Sequence, residues 1–203
     1  MIVFQSRKNL VTMENNVVTK KFKSENAMTI ELNNLARLAE KNLAIPKVIG
    51  HFSDEIYLEY IDGKTFCELS DELTQTQVRS LCDFLDNFHK GMNCSRGDVN
   101  LKNFIFNDET QTCFSVDFEE ELSSLNKEMD YGRVLAFMAT YDPMFSGNKE
   151  ASCKAFLDVL KEKDIDIYKT KLEFCNEVVM MENRRNIKFE AEVVKKFWQK
   201  ISK

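Results

Sequence analysis

Asp98 and Asn103 stand five residues apart in Gly97-Asp98-Val99-Asn100-Leu101-Lys102-Asn103, and Asp117 follows fourteen residues later in Asp117-Phe118-Glu119. A loop carboxylate can reach a substrate hydroxyl and take its proton. An amide oxygen and a second carboxylate are hard ligands of the kind Mg²⁺ accepts. One base and two such ligands gathered at a phosphate are the parts phosphoryl transfer requires. Taken singly, each residue is also what an ordinary turn uses. The meaning lies in their order and in the short apolar runs beside them, Phe104-Ile105-Phe106 and Cys113-Phe114-Ser115-Val116.

Those runs belong to a chain that changes character near residue 62. Before it, residues 2–5, 10–13, 16–23, 47–53 and 56–61 read as strands, with a helix over 24–41 that Pro46 prevents from continuing. After the crossing Asp62-Gly63-Lys64, the apolar spacing of Val78, Leu81, Cys82, Leu85 and Phe88 predicts a helix over 75–90. A loop at 93–103 and strands at 104–107 and 113–117 follow, then helices near 125–140, 149–163, 166–183 and 188–202. The chain shows no internal repeat and no low-complexity linker. The reading is one domain over 1–203, with an N-terminal lobe at 1–61 and a C-terminal lobe at 62–203.

Bulk composition narrows the function classes. The 203 residues carry a net charge of -5, which argues against a nucleic-acid surface, since phosphate backbones need clustered cations. No apolar run approaches the ~20 residues a bilayer span needs, and the first residues do not read as a signal peptide. Six cysteines show no zinc spacing and no Cys-x-x-Cys pair, so they read as reduced core thiols of a cytoplasmic protein. Two histidines leave little for a zinc site or a Cys-His nucleophile. His89 reads as a core histidine. Oligomeric state is left open.

Two further residues carry chemistry by position. Strand alternation puts Val18, Lys20 and Phe22 on one face, and Thr19, Lys21 and Lys23 on the other. Lys20, flanked by apolar residues, therefore points inward. Glu31 shares a helical face with Ala27, Met28, Leu35 and Leu38, where a carboxylate needs a partner. Lys20 and Glu31 satisfy each other.

These motifs and this order of elements resemble the protein-kinase-like superfamily over roughly residues 10–140. The likeness is closest to aminoglycoside/choline-kinase-type phosphotransferases and small lipopolysaccharide-kinase-like bacterial proteins. The resemblance implies an α+β, two-lobed fold: a small antiparallel-sheet lobe with one helix, and a mainly helical lobe. It implies ATP and Mg²⁺ between them, and a small-molecule or sugar hydroxyl as acceptor. By the resemblance Asp98 is the catalytic base, Asn103 and Asp117 hold the metal, and Lys20, aimed by Glu31, orients phosphate. The backbone around Glu59 to Ile61 would read the adenine edge, with Val18 and Leu58 lining the base pocket. Asp130 would brace the catalytic loop, or serve only as a helix N-cap. Atypical RIO-like protein kinases and nucleotide-binding pseudokinase modules share these motifs.

Four departures qualify the likeness. The first of the six glycines is Gly50, so the turn Ser6-Arg7-Lys8-Asn9 stands where a glycine-rich loop would be. Arg96 replaces the family's histidine; pairing with a carboxylate, such as Asp117, is the role expected of it. Asn100 falls where protein kinases carry a lysine, with Lys102 as a nearby substitute or a solvent-facing lysine. The stretch from Asp117 to Asp130 leaves little room to dock a peptide, and Glu119 stands in place of the familiar glycine. Arg184 and Arg185 read as a solvated helix end, with binding of an anionic substrate as the alternative.

Overall fold

The computed structural model describes every residue of the chain except Gln5 and Arg7. Part of the turn expected over the phosphates therefore lies outside the described residues. The N-terminal half is a five-stranded antiparallel sheet in the order β1-β2-β3-β5-β4. Its strands are β1 (Ile2–Phe4), β2 (Leu10–Glu14), β3 (Val17–Lys21), β4 (Val48–Phe52) and β5 (Glu55–Glu59). Between β3 and β4 runs helix α1 (Glu25–Glu40), whose N-cap Ser24 accepts from the Ala27 N–H. Its buried face, Met28, Glu31, Leu35 and Leu38, follows the helical period and faces the apolar side of the sheet, Phe22, Ile56 and Leu58.

The remainder is mainly helical. After β6 (Lys64–Thr65) comes α2 (Gln75–Met92), opened by a capping box in which Thr74 and Gln77 satisfy each other's backbone N–H. Asn93 closes it in the left-handed conformation. Then follow β7 (Cys94–Ser95), a 3₁₀ turn at Leu101–Asn103, β8 (Phe104–Asn107), β9 (Thr112–Ser115) and β10 (Ser123–Ser124). Strands β6, β8 and β9 form one small sheet, and β7 with β10 another. Helices α3 (Lys127–Thr140), α4 (Gly147–Glu162), α5 (Ile167–Arg185) and α6 (Ala191–Ile201) complete the chain.

The expected α+β organisation is therefore present. The differences are local. Strand β9 ends at Ser115, so Asp117 lies beyond it with a positive φ of 66°. Helix α3 is capped by Asn126, not by Asp130, which sits inside its first turn. Helices α3 and α5 approach closely at Gly132, where a β-carbon would stand 2.7 Å from the backbone of Thr170 and Phe174. Among the described residues no helix is long and apolar enough to cross a membrane.

Candidate active site

Strand β3 delivers Lys20 inward as the alternation requires: Lys20 is 6% exposed, whereas Lys21 is exposed and lies near Asp54 and Glu55. The Lys20 ammonium lies 2.6 Å from Glu31 Oε2 on α1 and 2.6 Å from Asp117 Oδ1, with Glu119 Oε2 at 3.5 Å. Burial alone would lower its pKa, but Glu31 and Asp117 outweigh burial and raise it. Glu31, 1% exposed, is itself pushed up by burial and by the nearby carboxylates, against the pull of Lys20. One ammonium thus serves three carboxylates. The carboxylate oxygens of Glu31, Asp117 and Glu119 fall within 4.8 Å of one another.

The loop after β7 presents the second group. Asn103 Nδ2 donates to Asp98 Oδ2 at 2.9 Å, while Asp98 Oδ1 accepts from the Asn100 N–H at 3.3 Å. Among the described residues the Asn103 amide oxygen receives no hydrogen bond, and Lys20 occupies one oxygen of Asp117. An amide oxygen and a carboxylate oxygen remain, a donor set that suits a hard divalent cation. Lys102 is exposed.

The loop itself is held from beneath. Asp130, fully buried, accepts from the Arg96 N–H at 2.6 Å and the Gly97 N–H at 3.1 Å, and faces His89 Nε2 at 2.8 Å. It braces the loop, as the resemblance implies. His89 is a core histidine, although its Nδ1 has no partner among the described residues.

Arg96 pairs with no carboxylate among the described residues, contrary to expectation. Its Nη2 donates to the backbone carbonyls of Val116 at 2.9 Å and Asp117 at 2.6 Å, and its guanidinium lies 4.2 Å from the centre of the Phe118 ring. A guanidinium offers five donors in a fixed fork, so it can span two successive carbonyls where an imidazole could meet one. The carbonyls it takes adjoin the positive-φ residue Asp117. Arg96 therefore fixes the backbone that carries Asp117 rather than its carboxylate.

Asn34 was not singled out from the sequence. Buried on α1, its Nδ2 donates to the Phe118 carbonyl at 2.9 Å and the Glu120 carbonyl at 3.0 Å. It joins the helix that carries Glu31 to the segment that carries Asp117 and Glu119. The available signal was its place three residues after Glu31, on the same face of α1. The described part of the first turn reaches the same segment: Asn9 Nδ2 donates to Glu119 at 2.5 Å and Lys8 lies 3.0 Å from it.

At the end of β5 the backbone alternates. Glu59 N–H donates to Lys47 O at 2.9 Å on one side, and Tyr60 N–H to Asn16 O at 3.1 Å on the other. The Glu59 carbonyl and Ile61 N–H therefore face away from β3, and among the described residues Ile61 N–H has no acceptor. A cavity of about 370 Å³ beside Glu119 is lined by Lys8, Asn9, Lys23, Ser24 and Ala27. A larger one of about 690 Å³, between the end of α1, α2 and β9, contains none of the residues predicted for the site.

No protein-family model and no curated protein matches this chain. Solved structures do. The chain is similar to APH(2'')-IIa in its gentamicin complex, at 13% identity and TM-score 0.62, covering 100% of this chain and 90% of that one. It is similar to the ADP-bound aminoglycoside phosphotransferase APH(2'')-Ib, at 14% identity and TM-score 0.63, covering 98% and 91%. The Cydia pomonella granulovirus kinase PK-1 aligns over 67% of this chain and 68% of its own, at 16% identity and TM-score 0.48. The chain has the protein-kinase-like fold.

Proposed function

We propose that this protein is an ATP- and Mg²⁺-dependent phosphotransferase that moves the γ-phosphate to a hydroxyl of a small molecule or cell-envelope sugar. The observation that carries the reading is the Lys20 ammonium, 2.6 Å from both Glu31 and Asp117, which unites the sheet, α1 and the segment after β9 at one point. A nucleotide would lie between an N-terminal lobe ending at residue 61 and the helical remainder. The Glu59 carbonyl and Ile61 N–H would meet the adenine edge, and Lys20, steadied by Glu31, the phosphates. The ADP bound in one structural neighbour supports a nucleotide in this cleft. The gentamicin bound in another supports a small hydroxylated acceptor.

Asp98 takes the proton of the acceptor hydroxyl and aligns that oxygen with the phosphate. Asn103, which holds Asp98 by its amide N–H, and Asp117 would hold Mg²⁺; when bound, that ion neutralises charge developing on the phosphate oxygens. The three carboxylates around one ammonium leave negative charge in surplus, which suits a divalent cation. Arg96 and Asp130 keep the two backbone segments in register. The short stretch from Asp117 to Asp130 favours a small acceptor over a peptide. We place the protein in the cytoplasm on its six unpaired thiols.

A second reading, a nucleotide-binding pseudokinase, draws on Glu119, whose carboxylate adds negative charge 3.5 Å from Lys20. The test is the thermal shift with ATP in the presence and absence of Mg²⁺, repeated on Asp117→Ala, followed by ADP release. A metal-dependent shift lost in the variant, with turnover on an acceptor, is the expected result. A shift without transfer to any acceptor supports the pseudokinase. No shift and no turnover in the wild type ends both readings.

A further inference from the structure

Arg133 on α3 and Arg184 and Arg185 on α5 belong to the helical half. Asp130 and Arg133, three residues apart on α3, hold the same residue from both ends. The Asp130 carboxylate accepts the Gly97 N–H at 3.1 Å, and Arg133 Nη1 donates to the Gly97 carbonyl at 3.1 Å. Arg133 also lies 3.5 Å from the buried Glu177 carboxylate on α5, on which Arg184 closes as well. Two guanidiniums thus share one carboxylate.

A second line of contacts starts from Asp98 itself. Its Oδ1 accepts the Asn100 N–H at 3.3 Å, and Asn100 Oδ1 accepts from the Tyr141 hydroxyl at 2.9 Å. Arg185, the last residue of α5, lies 5.5 Å from the centre of the Tyr141 ring and donates to the Thr140 carbonyl at 2.8 Å. The Arg185 guanidinium is thus fixed by an aromatic face and a carbonyl, and no carboxylate among the described residues pairs with it. A fork of five donors held this way retains several for a ligand. The nearby Asp142 is exposed, and its charge reaches Lys149.

We propose that Arg185, supported by Tyr141, binds an oxyanion on the acceptor. The acceptor is then a hydroxyl compound that bears a carboxylate or phosphate, not a polyamine. The inference rests on the phosphotransferase reading for the word acceptor, but the anion site can be tested without it. Guanidinium meets either oxyanion through paired, charge-assisted hydrogen bonds. A polycation such as gentamicin would set ammonium groups against the Arg185 guanidinium, a like-charge contact that disfavours binding. The helix end expected to be solvated is therefore the part that discriminates.

The experiment is calorimetric titration of the full chain without nucleotide, using glucose 6-phosphate, glucuronate, glucose and gentamicin. We expect saturable, salt-sensitive binding of glucose 6-phosphate or glucuronate, with glucose and gentamicin weaker. Which of the two anions binds tells phosphate from carboxylate. Arg185→Gln should weaken the anion about tenfold, one charged contact's worth, and Arg185→Lys should recover part of it. If Arg185→Gln fails to fold, Arg185→Lys and the salt dependence carry the test. Gentamicin binding more tightly than both anions, no binding of either anion, or anion binding indifferent to Arg185 would overturn the proposal. Loss of the ATP response alone would sink the phosphotransferase reading and leave this result standing.

Discussion

Among the described residues two lysines are buried, in two different surroundings. Lys20 has three carboxylates within 3.5 Å. Lys149, on α4 and fully buried, donates to the Ser70 carbonyl and, at 3.1 Å, to the Ser70 hydroxyl, and forms no ion pair among the described residues. Burial pushes both toward the neutral form, but carboxylates reverse that push for Lys20 and nothing fully reverses it for Lys149. The difference separates two uses of a buried cation. Lys20 carries a full charge among groups that a phosphate and a cation could replace. Lys149 closes off the carbonyl of the segment between β6 and α2, a local hydrogen-bonding need.

The largest expected effect follows from breaking the first arrangement. Lys20→Met leaves Glu31 buried without its cation, and removing one partner of a buried pair costs about 3 kcal/mol or more. The double variant Lys20→Met/Glu31→Gln should recover much of that loss in urea unfolding. Equal instability of the single and double variants would show that the pair is not coupled. Both should lose any response to Mg-ATP, which Lys149→Met should retain.

The Lys20–Glu31 contact was legible because both residues break patterns. Lys20 interrupts an apolar strand face and Glu31 an apolar helix face, so periodicity alone exposes both. The same rule would have exposed Asn34, and also Lys149, which shares the buried face of α4 with Ser152, Cys153, Phe156 and Leu160. What periodicity does not supply is the partner. A buried arginine can end on a carboxylate or on carbonyls, and Arg96 ends on the carbonyls of Val116 and Asp117. The short strands β6, β7 and β10 are two residues each, too brief for alternation to register.

Arg96 offers the next test, since it is a buried cation held against the Asp117 backbone, 3% exposed. Arg96→Leu leaves two carbonyls without their donor and should cost about 2 kcal/mol. If Arg96 serves only stability, Mg-ATP affinity per folded molecule should hold. If it also positions Asp117, the metal concentration needed for half-maximal thermal shift should rise. Loss of stability with unchanged metal response would remove Arg96 from the site.

The two lysines also differ in the pH window in which each acts. Lys20 lies above the ordinary value of 10.5, so its contribution is complete below that pH and is lost as pH rises through the folded-state pKa. Lys149 lies below 10.5, so near that pH the unfolded chain binds more protons than the folded one. Wild-type stability should therefore rise relative to Lys149→Met as pH approaches 10.5 from below. A flat difference would mean that Lys149 titrates normally and that the contrast with Lys20 is false.

The smallest effect concerns the acceptor side of Lys149. The Ser70 hydroxyl accepts from Lys149 at 3.1 Å and donates to the Cys67 carbonyl at 2.8 Å, while the Ser70 carbonyl accepts from Lys149 independently. Ser70→Ala removes the two hydroxyl contacts and keeps the carbonyl one. A net hydrogen bond is worth about 1 kcal/mol, so a loss of about 1 kcal/mol in urea unfolding is expected, less than for either buried cation. With one acceptor gone, the ammonium is less well solvated by the protein, so the Lys149 pKa should fall further. The pH-dependent gain described for wild type should then begin at lower pH in Ser70→Ala. A gain that begins at the same pH would show that the carbonyl alone sets the protonation of Lys149.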